Sequence, residues 1–113
     1  MKNGCFLQVT TTTDSRAEAE RLGRVMVERR LAACAQIVGP VSSTYWWKGS
    51  METTEEWMAV MKTTHEQSAQ LIATIKAEHS YETPDIVAIS IVDGLPDYLN
   101  WITEETRTQA GAT

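Results

Sequence analysis

Basic residues, cysteine, histidine and proline are all scarce in this chain, and most of these scarcities remove a class of function. Lysine and arginine together number 10 against 15 acidic residues, giving a formal net charge of −5 and a pI of about 4.9. A surface of that sign repels a phosphate backbone, which argues against nucleic acid as a partner. The 2 cysteines, Cys5 and Cys34, make no disulfide framework. Both are expected to be free thiols in a reducing compartment. Apolar runs are short. The N-terminal stretch MKNGCFLQVTTTTDS has a single lysine and an apolar run too short for a signal-peptide core, and nothing approaches the length of a membrane span. The expected location is therefore the cytoplasm, with no membrane partner. Phosphate-cradling glycine loops, HExxH, CxxC and the nucleophile elbow are all missing. No nucleophile–base pair stands out, so catalysis is not expected.

What is present is enough for one core. A chain of 113 residues buries about two-thirds of its unfolded surface. One domain over residues 1–113 is expected, with the small polar tail TQAGAT at 108–113 loose. CFLQVTTT at 5–12 reads as a strand. Ser15 and Glu18 have capping-box spacing at the start of a helix running to about Leu31. Its apolar stripe is Leu22, Val25 and Met26, and Glu18, Arg21, Arg24 and Glu28 suit a solvated face. The β-rich stretch 32–49 is too long for one flat strand, and Gly39-Pro40 is expected to bend or bulge it. Lys48-Gly49-Ser50 marks a hairpin tip leading to a partner strand at 55–63. A second helix follows from His65 to Glu78, capped by Thr64, with Leu71, Ile72 and Ile75 inward. IVAISIV at 86–92 is the last core strand, and PDYLNWITEETR begins a terminal helix. The order β-α-β-β-α-β plus a helix predicts an α+β fold, a ferredoxin-like split βαβ sandwich with two helices on one face of an antiparallel sheet.

Two helices cover one face of such a sheet, and a half-covered strand alternates apolar with polar. Here both faces are apolar. Ile86, Ala88 and Val92 oppose Val87, Ile89 and Ile91, while Trp57, Ala59 and Met61 oppose Met58 and Val60. The terminal helix can cover the second face through Leu99, Trp101 and Ile102. The agreement of both strands favours self-association, and an obligate homo-oligomer is the expectation.

Candidate chemistry rests on single residues. Cys34, among small neighbours in LAACAQ, reads either as a buried structural thiol or as a soft ligand for copper or zinc. His79, at the end of the second helix, either caps its last carbonyls or serves as a ligand beside Tyr81 and Glu82. His65 reads as a solvent-facing first-turn residue. Lys62 at a strand end snorkels to water or, tucked into a cleft, binds an anion. Tyr45, Trp46 and Trp47 form either a ligand platform or interface packing, with Tyr45 and Trp47 on one face and Trp46 on the other. Topology adds a constraint. Cys34 and Lys62 fall at one end of the sheet and His79, Tyr81 and Glu82 at the other, about 17–20 Å away. A site that combines them must lie between subunits.

Five spaced segments, LAACAQI (31–37), STYWWKG (43–49) with Glu56 beyond it, MKT (61–63), HSYETPDIVAI (79–89) and YLNWI (98–102), together resemble the CutA divalent-cation tolerance proteins. The resemblance spans roughly residues 5–107. It implies a ferredoxin-like homotrimer with sheets packed around a threefold axis and hairpins reaching into neighbours. It also implies tolerance of copper or other divalent metal ions, with the metal at Cys34 and His79, and the expected function adds Glu82 as a further ligand. Lys62, Tyr45, Trp47, Tyr81 and Glu82 match the family's polar intersubunit cleft. An alternative use of that cleft resembles the nitrogen-regulatory PII proteins, sensor trimers that bind a small anionic metabolite. Ser80 stands where the family's HPYE has proline, and Cys5 matches no motif cysteine.

Overall fold

Alternation is clearest in the first strand, β1 (Phe6–Thr13), whose FLQVTTTT buries every second residue. A computed structural model describes residues 5–107, and the tail expected to be loose at 108–113 lies outside them. Helix α1 (Arg16–Glu28) starts at Ser15, whose Oγ accepts from the Glu18 amide at 3.1 Å. The reciprocal half of the expected capping box is absent, because the Glu18 carboxylate takes bonds from Arg21 instead. That contact holds the Glu18 carboxyl below its usual range. The helix stops three residues before Leu31. Arg30 adopts a left-handed φ of 62°, its amide bonds Val27 O, and the Leu31 amide bonds Met26 O. This is the Schellman closure, formed without the glycine that usually signals it.

Strand β2 (Cys34–Trp47) and strand β3 (Ser50–Thr64) form one long hairpin. Lys48 and Gly49 make its two-residue turn, both with positive φ, 50° and 84°, which matches the strand twist. The partner strand is longer than the predicted 55–63 because polar METTEE pairs fully with β2. Thr44 and Thr53 share a hydroxyl bond at 3.0 Å, and Tyr45 Oη lies 3.1 Å from Thr54 Oγ1. The expected irregularity at Gly39-Pro40 is a bulge between Val38 and Val41. Beyond Trp57 only β2 and β3 pair, so the hairpin projects as an arm from a molecule of 48 × 31 × 21 Å.

Helix α2 (His65–Glu78) has its predicted bounds, although Thr64 caps it without a side-chain bond. Strand β4 (Ile86–Ser90) ends earlier than the predicted 92. The Ile91 amide bonds Phe6 O, and the chain leaves the sheet for helix α3 (Pro96–Glu105). Sheet order is β2-β3-β1-β4, with every neighbouring pair antiparallel. β1 and β2 are thus parallel with β3 between them, the split βαβ arrangement expected.

The main core lies between the sheet and α1 and α2. Val9, Leu22, Met26, Ala59, Met61, Leu71 and Ile75 are fully buried there, and each larger side chain contributes about 1.5–3 kcal/mol. Gly23 sets the spacing of α1 on β2, since a Cβ there would stand 2.8 Å from Ala35 Cβ. Gly23→Ala gains about 1 kcal/mol of helix propensity, but overpacking costs about 1–3 kcal/mol. The expected outcome is a net loss of about 1 kcal/mol, measured by urea denaturation.

The opposite sheet face is open. Register places Cys34, Lys62, Gln8 and Ile89 in one row, Gln36, Val60, Thr10 and Val87 in the next, and Val38, Met58 and Thr12 in the third. Leu99 and Ile102 of α3 pack with Phe6, Ala33 and Ile91 at the lower end of this face. Trp101, expected to help cover the sheet, instead stacks on Tyr98 at 5.4 Å and remains exposed. Val87 is 48% and Ile89 56% exposed.

Candidate functional site

Helix α2 leads directly to the upper end of the sheet. His79 leaves the helix in an extended conformation and turns back onto β1 rather than capping the carbonyls. Its Nε2 lies 2.9 Å from Thr12 O and 3.0 Å from Thr11 Oγ1. The Tyr81 amide donates to Nδ1 at 3.1 Å. An amide nitrogen only donates, so Nδ1 is the acceptor and Nε2 carries the proton. Neither nitrogen has a lone pair open to a metal ion. This turn forms with Ser80 exposed at its corner, so the family's proline is not needed to aim His79.

His79 thereby fixes Tyr81, whose ring lies 4.9 Å away. Tyr81 Oη donates to Glu56 Oε2 at 2.7 Å. Burial, then the bond and the charge of Glu56, push the phenol far above its usual range. Glu56 is only 7% exposed. In the sequence Glu56 stands out only as a companion of the STYWWKG segment. Its signal was its phase, since alternation places Glu56 with Met58, Val60 and Lys62 on an otherwise apolar strand face. Glu82 is exposed.

The lower end holds different chemistry. Cys34 and Lys62 are register partners. The Cys34 Sγ lies 3.7 Å from Tyr98 Oη, and burial, followed by the Cys34 contact, pushes the Tyr98 phenol up to about 12. Lys62 Nζ donates to Gln36 Oε1 at 3.0 Å. Cys5 and Cys34 are both free thiols. Tyr45 and Trp47 sit on the arm, where Lys48 lies 5.4 Å from the Trp47 ring.

One chain therefore does not assemble the expected metal set Cys34, His79 and Glu82. No group of three or more His, Cys, Asp or Glu suited to a metal ion occurs among the described residues. Nor does one chain form the expected cleft. Tyr45 faces Glu52 on β3, and Lys62 lies about 33 Å further along that strand at roughly 3.3 Å per residue.

The fold and this divided site define a ferredoxin-like α+β protein with one sheet face open. The family model for the CutA1 divalent ion tolerance protein matches residues 7–105. The divalent-cation tolerance protein CutA of Archaeoglobus fulgidus is 43% identical over 93 residues, covering 82% of this chain and 90% of that protein. The crystal structure of CutA1 from Oryza sativa superposes with a TM-score of 0.89 at 31% identity, over 95% of this chain and 98% of that one. The solved Archaeoglobus fulgidus structure, described as a periplasmic divalent cation tolerance protein, gives 0.87 at 39% identity over 90% and 99%. The chain belongs to the CutA1 divalent ion tolerance family.

Proposed function

We propose that this chain acts in divalent-cation tolerance as a non-catalytic homotrimer, holding copper or another divalent metal ion with ligands drawn from more than one copy. The observation that carries this reading is the split of the two candidate ligands that remain once His79 is engaged, Cys34 and Glu82, between the two ends of an open apolar face. Exposed Val38 and Val87, in rows with Met58 and Val60, give that face an apolar middle suited to sheet-on-sheet packing, with exposed Ile89 in the row below. Cys34 is the soft donor, since thiolate selects copper(I) and zinc over hard cations. The two free thiols support a reducing compartment, the cytoplasm. The relative from Archaeoglobus fulgidus is described as periplasmic, so this assignment concerns the present chain alone. Among the described residues, no helix is long and apolar enough to cross a membrane.

Titration with copper(I), and with zinc as the divalent ion a thiolate selects, each against a chromophoric competitor and alongside sedimentation, tests the reading. A trimer is expected, with Cys34→Ala weakening copper(I) binding by more than about a hundredfold, because even residues that only support a ligand cost 10–100-fold. Unchanged affinity in Cys34→Ala would sink the metal assignment. A second reading, the PII-like sensor with an anionic metabolite in its cleft, draws support from Lys62, which has no carboxylate partner among the described residues.

A further inference from the structure

The open face is electrically polarised along β3. Glu56, Met58, Val60 and Lys62 project from the same side, with the carboxylate at the upper end and the ammonium at the lower. Six residues of strand separate them by about 20 Å. Between them lie Met58 and Val60, flanked by Val38 on β2 and Val87 on β4. Each charge lacks its counterpart. Glu56 is 7% exposed, and Tyr81 donates to one of its oxygens. No lysine or arginine among the described residues forms an ion pair with it. Asp14, also felt by Tyr81, adds a second acid at that end. Lys62 has the Gln36 amide oxygen and no acid.

A carboxylate nearly removed from water is stabilised most by an opposite charge, and a lysine buried in an interface needs one equally. The two ends cannot meet within a chain. They meet between copies when one sheet lies head to tail on the next, which also sets the apolar middles against each other. We propose that Lys62 of one copy forms an ion pair with Glu56 of the next across the open faces. Tyr81, itself held by His79, fixes the carboxylate that receives it. The counter-charge is then Glu56 and not the exposed Glu82. The proposal rests on the homo-oligomer reading given above and names the contact that orients it.

A double-mutant cycle on the full chain tests this, using Lys62→Met, Glu56→Gln and the pair together. Dissociation on dilution is followed by sedimentation, with circular dichroism verifying the fold. Each single change is expected to raise the dissociation constant by about thirtyfold or more, and the pair to do no more than either alone. The reversal Lys62→Glu with Glu56→Lys is expected to assemble better than Lys62→Glu alone. Additive single effects, or dissociation that neither change alters, overturn the proposal while leaving the oligomer standing. A monomeric wild type overturns both. Inorganic phosphate and citrate are added in a parallel thermal-shift series. Stabilisation by either that Lys62→Met abolishes and Glu56→Gln leaves intact assigns Lys62 to a soluble anion and also overturns the pair.

Discussion

Ile89→Lys is expected to leave the chain folded and to abolish the self-association proposed above. Ile89 is 56% exposed in the single chain, and a substitution at so exposed a site shifts stability by about 0.5 kcal/mol or less. Its row on the open face contains Gln8, Lys62 and Cys34, so an added ammonium there stays in water while the chain is alone. In the proposed assembly the same group is buried beside Lys62, and two ammonium groups then compete for the one Glu56 of the next copy. A buried, unpaired charge costs several kcal/mol, a rise of about a thousandfold or more in the dissociation constant. Sedimentation at micromolar concentration should therefore show one chain, with a melting temperature that no longer depends on concentration. Wild-type size in this variant would mean that the open face is not the interface.

The second large effect is expected at His79. His79→Ala removes the bond to the Thr12 carbonyl and the acceptor of the Tyr81 amide, together with the ring contact to Tyr81. At about 1 kcal/mol per bond, and more for a buried group left unpaired, the loss is about 2–3 kcal/mol. That corresponds to a melting temperature lower by about ten degrees for a chain of this size. Copper stoichiometry should stay as in the wild type, because both imidazole nitrogens already serve the fold. Loss of one bound ion per chain with stability unchanged would make His79 a ligand and not a strut.

Local pattern carried the architecture a long way. The alternation of FLQVTTTT, the Leu22 and Met26 stripe, and the doubly apolar β3 and β4 are short-range signals, and the kind and order of the elements follow from them, while several ends do not. The departures share a cause. Arg30 closes α1 in a conformation that favours glycine, stabilised by two backbone bonds that no residue preference announces. METT at 51–54 lies outside the strand expected at 55–63 because its strand character comes from pairing with β2, a tertiary effect. The site was less legible for a similar reason. The division of Cys34 and Lys62 from His79, Tyr81 and Glu82 follows from strand direction and was readable. The roles of His79 and Glu56 depend on partners as far apart in the chain as Thr12 and Tyr81, and only folding reveals them.

The bulge at Gly39-Pro40 has a consequence for the arm. Before it, Cys34, Gln36 and Val38 face the open side of the sheet. After it, Val41 pairs with Glu56 and Tyr45 with Glu52, so the odd-numbered residues take that side. The extra residue acts as a half-period phase shift. Because of it Tyr45 and Trp47 share a side with Glu56 and Lys62, and Trp46 points away. Gly39 itself leaves room for the Trp57 ring, which a Cβ would approach to 2.6 Å. Removing one residue there would leave the buried core and the composition almost untouched, yet exchange the two sides of the arm. What the core requires and what the arm presents to other molecules are thus set by separate registers within a single strand.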